Sequence, residues 1–281
     1  MLGKLLKYEW RGLRFPFLVM MIVLASTTVL TCSVIYTINP NYNEAIPWYS
    51  SMALMFSIFL YYFGLIGCSI GLSLIIVIRF YNTCYTDQGY LTHTLPVTTR
   101  QILHAKLIAA FVADVLMVLA IAISLFLIIQ VTLHHILSFI PEFTYADLMW
   151  EISRGIGEFE EIFGIRIGLY FAYLAIYSLI GTIANIVTLF GCVSLGQLYA
   201  KHRIIGAILA YFIVQFILQV LAYFASLPMY ARMLGTSYNS DFSFFGLMSP
   251  TMNLMLFFSV ALAVFMYFAN MHMLTKRLNL E

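Results

Sequence analysis

Long apolar runs recur six times along the chain, and they constrain its fold more than any other feature of the sequence. Crossing the roughly 30 Å hydrocarbon layer of a bilayer takes about 20 residues of helix. A chain in lipid must also satisfy its backbone hydrogen bonds internally, which a helix does. The runs that reach this length are residues about 17–38, 52–78, 107–133, 165–191, 204–227 and 252–274. The sequence therefore predicts an all-α, polytopic membrane protein with six transmembrane helices in a single transmembrane domain, residues 1–281.

The charged residues are too few to cover the surface of a soluble protein. They make up 9% of the 281 residues, and 63% of the residues are hydrophobic, whereas soluble domains carry about 25% charged residues. Lipid must therefore solvate much of the surface. The net charge of +2 gives no reason to expect nucleic acid as a partner, so we expect membrane lipid and no nucleic acid.

The distribution of basic residues predicts the orientation. With the N-terminus in the cytoplasm, the cytoplasmic segments contain every Lys and Arg except Arg154, Arg166 and Arg232. Cytoplasmic loops of membrane proteins are enriched in Lys and Arg. We therefore expect a multi-pass protein of the cell membrane whose N- and C-termini are both cytoplasmic.

The first residues, 1–14, read MLGKLLKYEWRGLR and have an amphipathic pattern. Leucines and a tryptophan share one side of a helix, and Lys and Arg recur on the other at three- and four-residue spacing. The pattern predicts a helix that lies in the inner headgroup layer. Two interpretations stay open. The helix is either an anchor for the first span or an elbow helix that also contacts a cytoplasmic partner.

A polar connector, residues 79–106, joins the second and third spans on the cytoplasmic side. Residues 87–89, Asp-Gln-Gly, are typical of a turn. Thr98 and Gln101 have the spacing of a capping box, which predicts a helix that begins at about Thr99 and runs on into the third span. We expect the connector to be a short, rigid bracket that transmits a push from a partner to both spans.

The connector resembles a segment of type-2 ABC exporter permeases. In that family an acidic residue and a Gly precede a short helix, followed by a Pro, a small polar pair with an Arg, and a Lys that opens the next span. The chain has TDQGYLTHTLPVTTRQILHAKLIAA at this place, with matches at Asp87, Gly89, Leu91, Leu95, Pro96, Thr99, Arg100, Leu103 and Lys106. The amphipathic start, the six spans and the inside termini also agree. Within the family, the connector resembles the loops of short permeases of Gram-positive bacteria.

The resemblance implies the partners of the chain. In the family this bracket is the coupling helix, which sits in a cleft of a separate ATPase subunit. The residues expected to contact an ABC ATPase subunit here are Asp87, Gly89, Tyr90, Leu91, Leu95, Pro96 and Arg100. The resemblance further implies a second permease subunit, identical or related, and a bacterial cell membrane.

No nucleotide-binding motif of the form G-x-x-x-x-G-K-[ST] occurs in the sequence. We therefore expect that the chain is not an enzyme and binds no cofactor itself, and that ATP and Mg²⁺ bind to the partner ATPase. The sequence suggests a permease subunit of an ATP-driven exporter for an amphipathic cargo, such as a peptide, a lipid or a drug.

Polar side chains inside the predicted spans are few and mark a candidate pathway or subunit seam. Asp114 lies in the third span, where a charge is costly unless it is paired, protonated or in contact with water. Four polar residues at four-residue spacing form one stripe on the fifth span: Tyr211, Gln215, Gln219 and Tyr223. The stripe either forms hydrogen bonds between helices or lines a seam or pathway. Asp114 either has a structural partner, contacts the substrate or binds a proton. A proton site would serve an ion-coupled secondary transporter, which is the alternative function.

The segment 134–164 lies on the outer side in this topology and is amphipathic. Apolar residues mark one side of a predicted helix: Leu148, Ile152, Ile156, Phe159 and Phe163. Acidic residues dominate the other side, so the segment predicts a helix on the outer leaflet. It is either a surface lid or a surface that receives or excludes cargo.

Overall fold

The computed structural model describes residues 2–37, 47–86, 88–89, 96–139, 145–199, 202–235 and 243–276. In these ranges the chain forms seven long helices. They are α1 Leu2–Thr37, α2 Trp48–Tyr85, α3 Thr99–Phe139, α4 Tyr145–Phe163, α5 Ile167–Gly196, α6 Arg203–Gly235 and α7 Phe244–Lys276. The prediction of an all-α fold is confirmed.

Six of these helices, all except α4, are long and apolar enough to cross a membrane. Each predicted span lies almost entirely within one of them. At ten of the twelve span ends the helix runs beyond the predicted boundary, because polar residues at a membrane surface continue a helix that apolar residues begin; the exceptions are the end of α1 at Thr37 and the start of α5 at Ile167. The polytopic, six-span fold is therefore confirmed, although the helices are longer than their apolar parts.

The N-terminal segment differs from a separate amphipathic helix. Residues 1–14 were predicted to form a helix of their own, whereas α1 continues from Leu2 to Thr37 with Pro16 in its interior. A proline costs an interior helix one backbone hydrogen bond, but its fixed φ angle is compatible with a helix. The helix therefore continues through Pro16, and the amphipathic segment is the beginning of α1.

The chain divides into two compact units. The first unit contains Met1–Ile78 and Ile108–Met149, and the second contains Arg79–Leu107 and Trp150–Glu281. The connector therefore belongs to the same unit as α5, α6 and α7.

Interhelical hydrogen bonds join the helices of the first unit. The Thr31 hydroxyl of α1 donates to the backbone carbonyl of Ser57 in α2 at 3.3 Å. The hydroxyls of Tyr61 in α2 and Ser124 in α3 form a buried hydrogen bond of 2.7 Å. Such bonds contribute about 0.6 kcal/mol on average in membrane proteins, so they orient the helices more than they stabilise them.

In the second unit α5 packs against both α6 and α7. Cys192, Val214 and Met266 form a buried cluster in which these three helices meet. The turn from α5 to α6 is tight, since a Cβ atom added to Gly206 would lie 2.8 Å from the carbonyl oxygen of Gly196. The buried residues of α5 are concentrated in the half of the helix that ends at Gly196.

Helix α4 ends at a glycine. Gly164 has a φ angle of 66°, a left-handed conformation that a glycine adopts without strain, and its N–H donates to the Glu160 carbonyl at 2.9 Å. The Ser243 hydroxyl at the start of α7 donates to the Phe163 carbonyl at 2.8 Å. These bonds fix the end of α4 to the start of α7.

The predicted outer helix is present as α4, but residues 134–139 of that segment belong to α3. The rings of Phe159 and Phe163 stack at a centroid distance of 4.0 Å, and both contact Tyr170 of α5 at 5.4 Å. On the opposite side, Arg154 forms an exposed ion pair of 3.1 Å with Glu158. The predicted amphipathic pattern therefore corresponds to a packed side and an exposed side, except that Ile152 is also exposed.

Candidate coupling site at the connector

Both ends of the connector are helical. Helix α2 continues to Tyr85, and α3 begins at Thr99. The Thr98 N–H donates to the Gln101 side-chain oxygen at 3.4 Å, and the Gln101 N–H donates to the Thr98 carbonyl at 2.9 Å. The predicted helix start is confirmed, with the Gln101 half of the capping box formed.

The sequence predicts a turn at residues 87–89, but Gln88 and Gly89 are helical. Gly89 lies between α2 and α3 along the chain. Its N–H donates to the Thr86 carbonyl at 2.7 Å, and the residue is buried. Among the predicted ATPase-contacting residues, Pro96 and Arg100 are exposed. The other four lie outside the described residues: Asp87, Tyr90, Leu91 and Leu95.

A chain of buried hydrogen bonds links the start of the connector to α5 and α7. The Tyr85 hydroxyl donates to the Ser194 hydroxyl at 2.8 Å, and the Ser194 hydroxyl donates to the Asn270 amide oxygen at 2.7 Å. The exposed fractions of these side chains are 5%, 0% and 1% in that order. A buried polar group without a partner lowers the stability of the fold. These linked hydrogen bonds therefore favour the one arrangement of the three helices in which all of them form.

The aromatic ring of Phe80 supports the same junction. It stacks on Phe190 of α5 with a centroid distance of 4.0 Å and an interplanar angle of 7°, and both side chains are buried. The contact therefore adds apolar packing of α2 on α5 beside the hydrogen bonds.

A buried lysine joins the two ends of the connector. The Lys106 ammonium donates to the Thr83 hydroxyl, and Thr83 donates to the Arg79 carbonyl at 2.7 Å. Lys106 is only 4% exposed, and a buried ammonium needs hydrogen-bond acceptors or a counter-charge. The end of α2 and the start of α3 are consequently held together. The residues of this junction, called the coupling cluster below, are Phe80, Thr83, Tyr85, Lys106, Phe190, Ser194 and Asn270.

Sequence reasoning identified Lys106 but missed Ser194 and Asn270. Ser194 lies beyond the predicted end of the fourth span at residue 191, whereas α5 extends to Gly196. Asn270 is an amide within the sixth predicted span, and a polar residue inside a span is itself a signal of a packed or functional position.

Asp114 lies on α3 and is half-buried. In the described part of the chain it has no hydrogen-bond or ion-pair partner. The expected structural partner of Asp114 is therefore not found among the described residues. An intramembrane carboxyl group without a partner is energetically costly unless it is protonated or reaches water or another subunit.

The polar stripe of α6 divides into a packed and an open part. Tyr211 packs against the cluster of Cys192, Val214 and Met266. Gln215 is half-buried, Gln219 is exposed, and Tyr223 is 62% exposed. Neither glutamine amide forms a hydrogen bond with a described residue. Hydrogen bonding between helices of the same chain therefore does not account for the open part of the stripe.

Among the described residues, no group of three or more His, Cys, Asp or Glu side chains is close enough to hold a metal ion.

Comparison of the chain with protein-family models, curated proteins and solved structures gives no match. The class of protein is therefore defined by the fold. The chain is a multi-pass, all-α membrane protein of transporter-like architecture, with six apolar helices long enough to cross the bilayer.

Proposed function

We propose that the chain is the transmembrane permease subunit of an ATP-driven ABC exporter that moves an amphipathic cargo. A separate ATPase subunit binds ATP and Mg²⁺ and contacts the connector on the cytoplasmic side. The observation that carries this proposal is the coupling cluster, in which Tyr85 and Lys106, near the two ends of the connector, are held by buried contacts. The resemblance of the connector to the coupling segment of type-2 permeases supports the same function.

The coupling cluster suggests how force would reach the spans. ATP binding draws the ATPase subunits together and displaces the connector. Because Tyr85 is hydrogen-bonded to Ser194, and Ser194 to Asn270, the displacement moves α5 and α7 with the connector. Packed helices respond to such displacements by small rigid-body shifts. These shifts change the opening of the translocation path.

The proposal includes a second permease subunit. Gln215 and Gln219 lie on a helix long and apolar enough to span the membrane. Their side-chain amides form no hydrogen bond with a described residue. An unsatisfied amide in hydrocarbon is costly. Amide side chains form hydrogen bonds across helix interfaces in membranes. The stripe therefore fits a seam or a pathway between two permeases.

Purification of the intact chain in mild detergent from its own cells tests the main proposal. We expect a co-purifying protein with a Walker motif and ATPase activity. The variant Leu91→Asp should lose this ATPase while the permease remains folded, because the resemblance places Leu91 among the residues that contact the ATPase. A wild-type chain that carries no ATPase under these conditions would contradict the proposal.

One observation favours a second candidate function. Asp114 has no partner in the described part of the chain, as expected for a carboxyl group that binds and releases a coupling ion. An ion-coupled secondary transporter predicts uptake by the partner-free protein in proteoliposomes with an imposed proton gradient. That uptake would be lost in Asp114→Asn and independent of ATP.

A further inference from the structure

A cleft opens between the start of α3 and the end of α7. Its volume is about 740 Å³, which is within the range of roughly 300–1,000 Å³ typical of ligand-binding pockets. The described residues that line it are Thr98, Thr99, Arg100, Met271, His272 and Thr275. None of them belongs to the coupling cluster, so the cleft is a separate feature of the second unit.

The walls of the cleft are held at a fixed separation. His104 and Tyr267 form a hydrogen bond of 2.9 Å between His Nε2 and the tyrosine hydroxyl, and their rings lie 6.0 Å apart. His104 is one helical turn after Arg100, and Tyr267 is one turn before Met271, so this pair lies deeper along the same two helices. The cleft is therefore a built feature between two helices.

The chemistry of the cleft favours an anionic group. Arg100 and His272 are exposed, and in the described part of the chain neither forms a hydrogen bond or ion pair. No acidic residue is among the lining residues that the structure describes. The planar guanidinium of an arginine binds a carboxylate through two parallel hydrogen bonds. The volume accommodates several side chains rather than a single carboxylate.

We propose that this cleft receives an acidic segment of the ATPase subunit, with Arg100 binding an Asp or Glu carboxylate of that segment. The inference rests on the proposed function and adds α7 to the surface that the ATPase contacts. Residues 98–100 belong to the connector, so the cleft continues the surface already assigned to the ATPase. An anionic lipid surface is a weaker match, because its recognition typically takes clusters of about four to eight Lys or Arg residues.

Charge reversal tests the inference. Arg100→Glu and His272→Ala should each lower the amount of ATPase recovered with the chain, Arg100→Glu by about tenfold. Arg100→Glu places an acidic residue in the first turn of α3, which favours the helix, so unfolding would not explain the loss. Arg166→Glu is the matched control, since Arg166 is an exposed basic residue outside the cleft, on the side of the protein assigned to the outer medium. An Asp→Arg or Glu→Arg change in the acidic segment of the ATPase should restore binding to Arg100→Glu.

The outcomes separate the two proposals. If the wild-type chain carries no ATPase, the proposed function fails. If the wild-type chain and Arg100→Glu carry equal amounts, only the cleft assignment fails. An equal loss in Arg166→Glu would show a general effect of the charge change and overturn the assignment. Weaker flotation of the Arg100→Glu protein with phosphatidylglycerol vesicles, with ATPase recovery unchanged, would assign the cleft to lipid headgroups instead.

Discussion

Ser194 on α5 donates a hydrogen bond of 2.7 Å to the amide oxygen of Asn270 on α7, and both side chains are at most 1% exposed. Ser194 also accepts the hydrogen bond of Tyr85 at the start of the connector. A single hydroxyl therefore joins three helices in the unit that contains the connector. Removal of this one hydroxyl should therefore lower the stability of the contacts among all three helices.

Ser194→Ala should lower the stability of the folded chain. The substitution leaves the Tyr85 hydroxyl and the Asn270 amide oxygen buried without this partner, which costs about 1–3 kcal/mol for each group. Thermal unfolding in detergent can be followed with a thiol-reactive dye, because Cys84 and Cys192 are buried. Ser178→Ala on the same helix is the control, since Ser178 is exposed and its hydroxyl bonds only the backbone of its own helix. Equal unfolding temperatures for the two variants would show that the buried hydrogen bonds of Ser194 contribute nothing to stability.

Tyr85→Phe should weaken the mechanical link between the bound ATPase and the membrane-spanning helices. The ATPase itself should stay bound. The change removes one hydroxyl and keeps the ring, so the ATPase should co-purify at the wild-type level. Loss of one hydrogen bond worth about 1 kcal/mol should slow ATP hydrolysis by the reconstituted complex roughly fivefold. Tyr81→Phe is the control because Tyr81 lies one turn earlier and its ring contacts Tyr85. Unchanged hydrolysis in Tyr85→Phe would remove the hydroxyl from the coupling path.

Thr83→Val should destabilise the junction of the connector. Lys106 is buried and would lose its hydrogen bond to the Thr83 hydroxyl, at a cost of about 1–3 kcal/mol. The difference can be read from the unfolding temperatures of the wild-type chain and the Thr83→Val variant.

Thr86→Val provides the comparison for this prediction. Thr86 is near the end of α2, but its hydroxyl donates to the Asn82 carbonyl at 2.6 Å and not to Lys106. We expect a much smaller effect there. If Thr86→Val and Thr83→Val have the same unfolding temperature, the loss of stability comes from replacing a hydroxyl by a methyl group. The lost hydrogen bond to Lys106 would then not explain it.

Gly196→Ala and Gly181→Ala should change stability in opposite directions. A Cβ atom on Gly196 would lie 2.6 Å from the Ala207 Cα, so the turn from α5 to α6 must shift. Such overpacking typically costs about 1–3 kcal/mol. Gly181 has no atom within 4 Å of an added Cβ, and alanine is favoured over glycine in a helix by about 1 kcal/mol. A stabilised Gly196→Ala variant would contradict the tight turn.

The orientation is tested by labelling single cysteines placed in a cysteine-free chain. A membrane-impermeant maleimide should label Arg154→Cys on intact cells and Thr98→Cys only after permeabilisation. The reason is the excess of Lys and Arg in the segments assigned to the cytoplasm. Labelling of Thr98→Cys on intact cells would place the connector outside and exclude a cytosolic ATPase as its partner.

The coupling cluster shows where sequence reasoning reached its limit. The start of α3 at Thr99 was predicted, because a capping box is a local pattern of Thr98 and Gln101. The hydrogen bond between Tyr85 and Ser194 joins residues 109 positions apart, and no local pattern relates them. The spacing of Gln215 and Gln219 was visible in the sequence, but their lack of partners within the described chain depends on which helices pack beside α6.

The sequence by itself determined the all-α fold, the six spans and the amphipathic character of α4, because hydropathy and periodicity act over one helix at a time. Only the tertiary structure decided that the amphipathic start continues into α1 and that the buried Lys106 lies against Thr83. It also decided that Ser194 joins the connector to α7. The physical reason is that lipid solvates any apolar helix face equally well, so the choice of neighbouring helices depends on close packing and on a few buried polar groups.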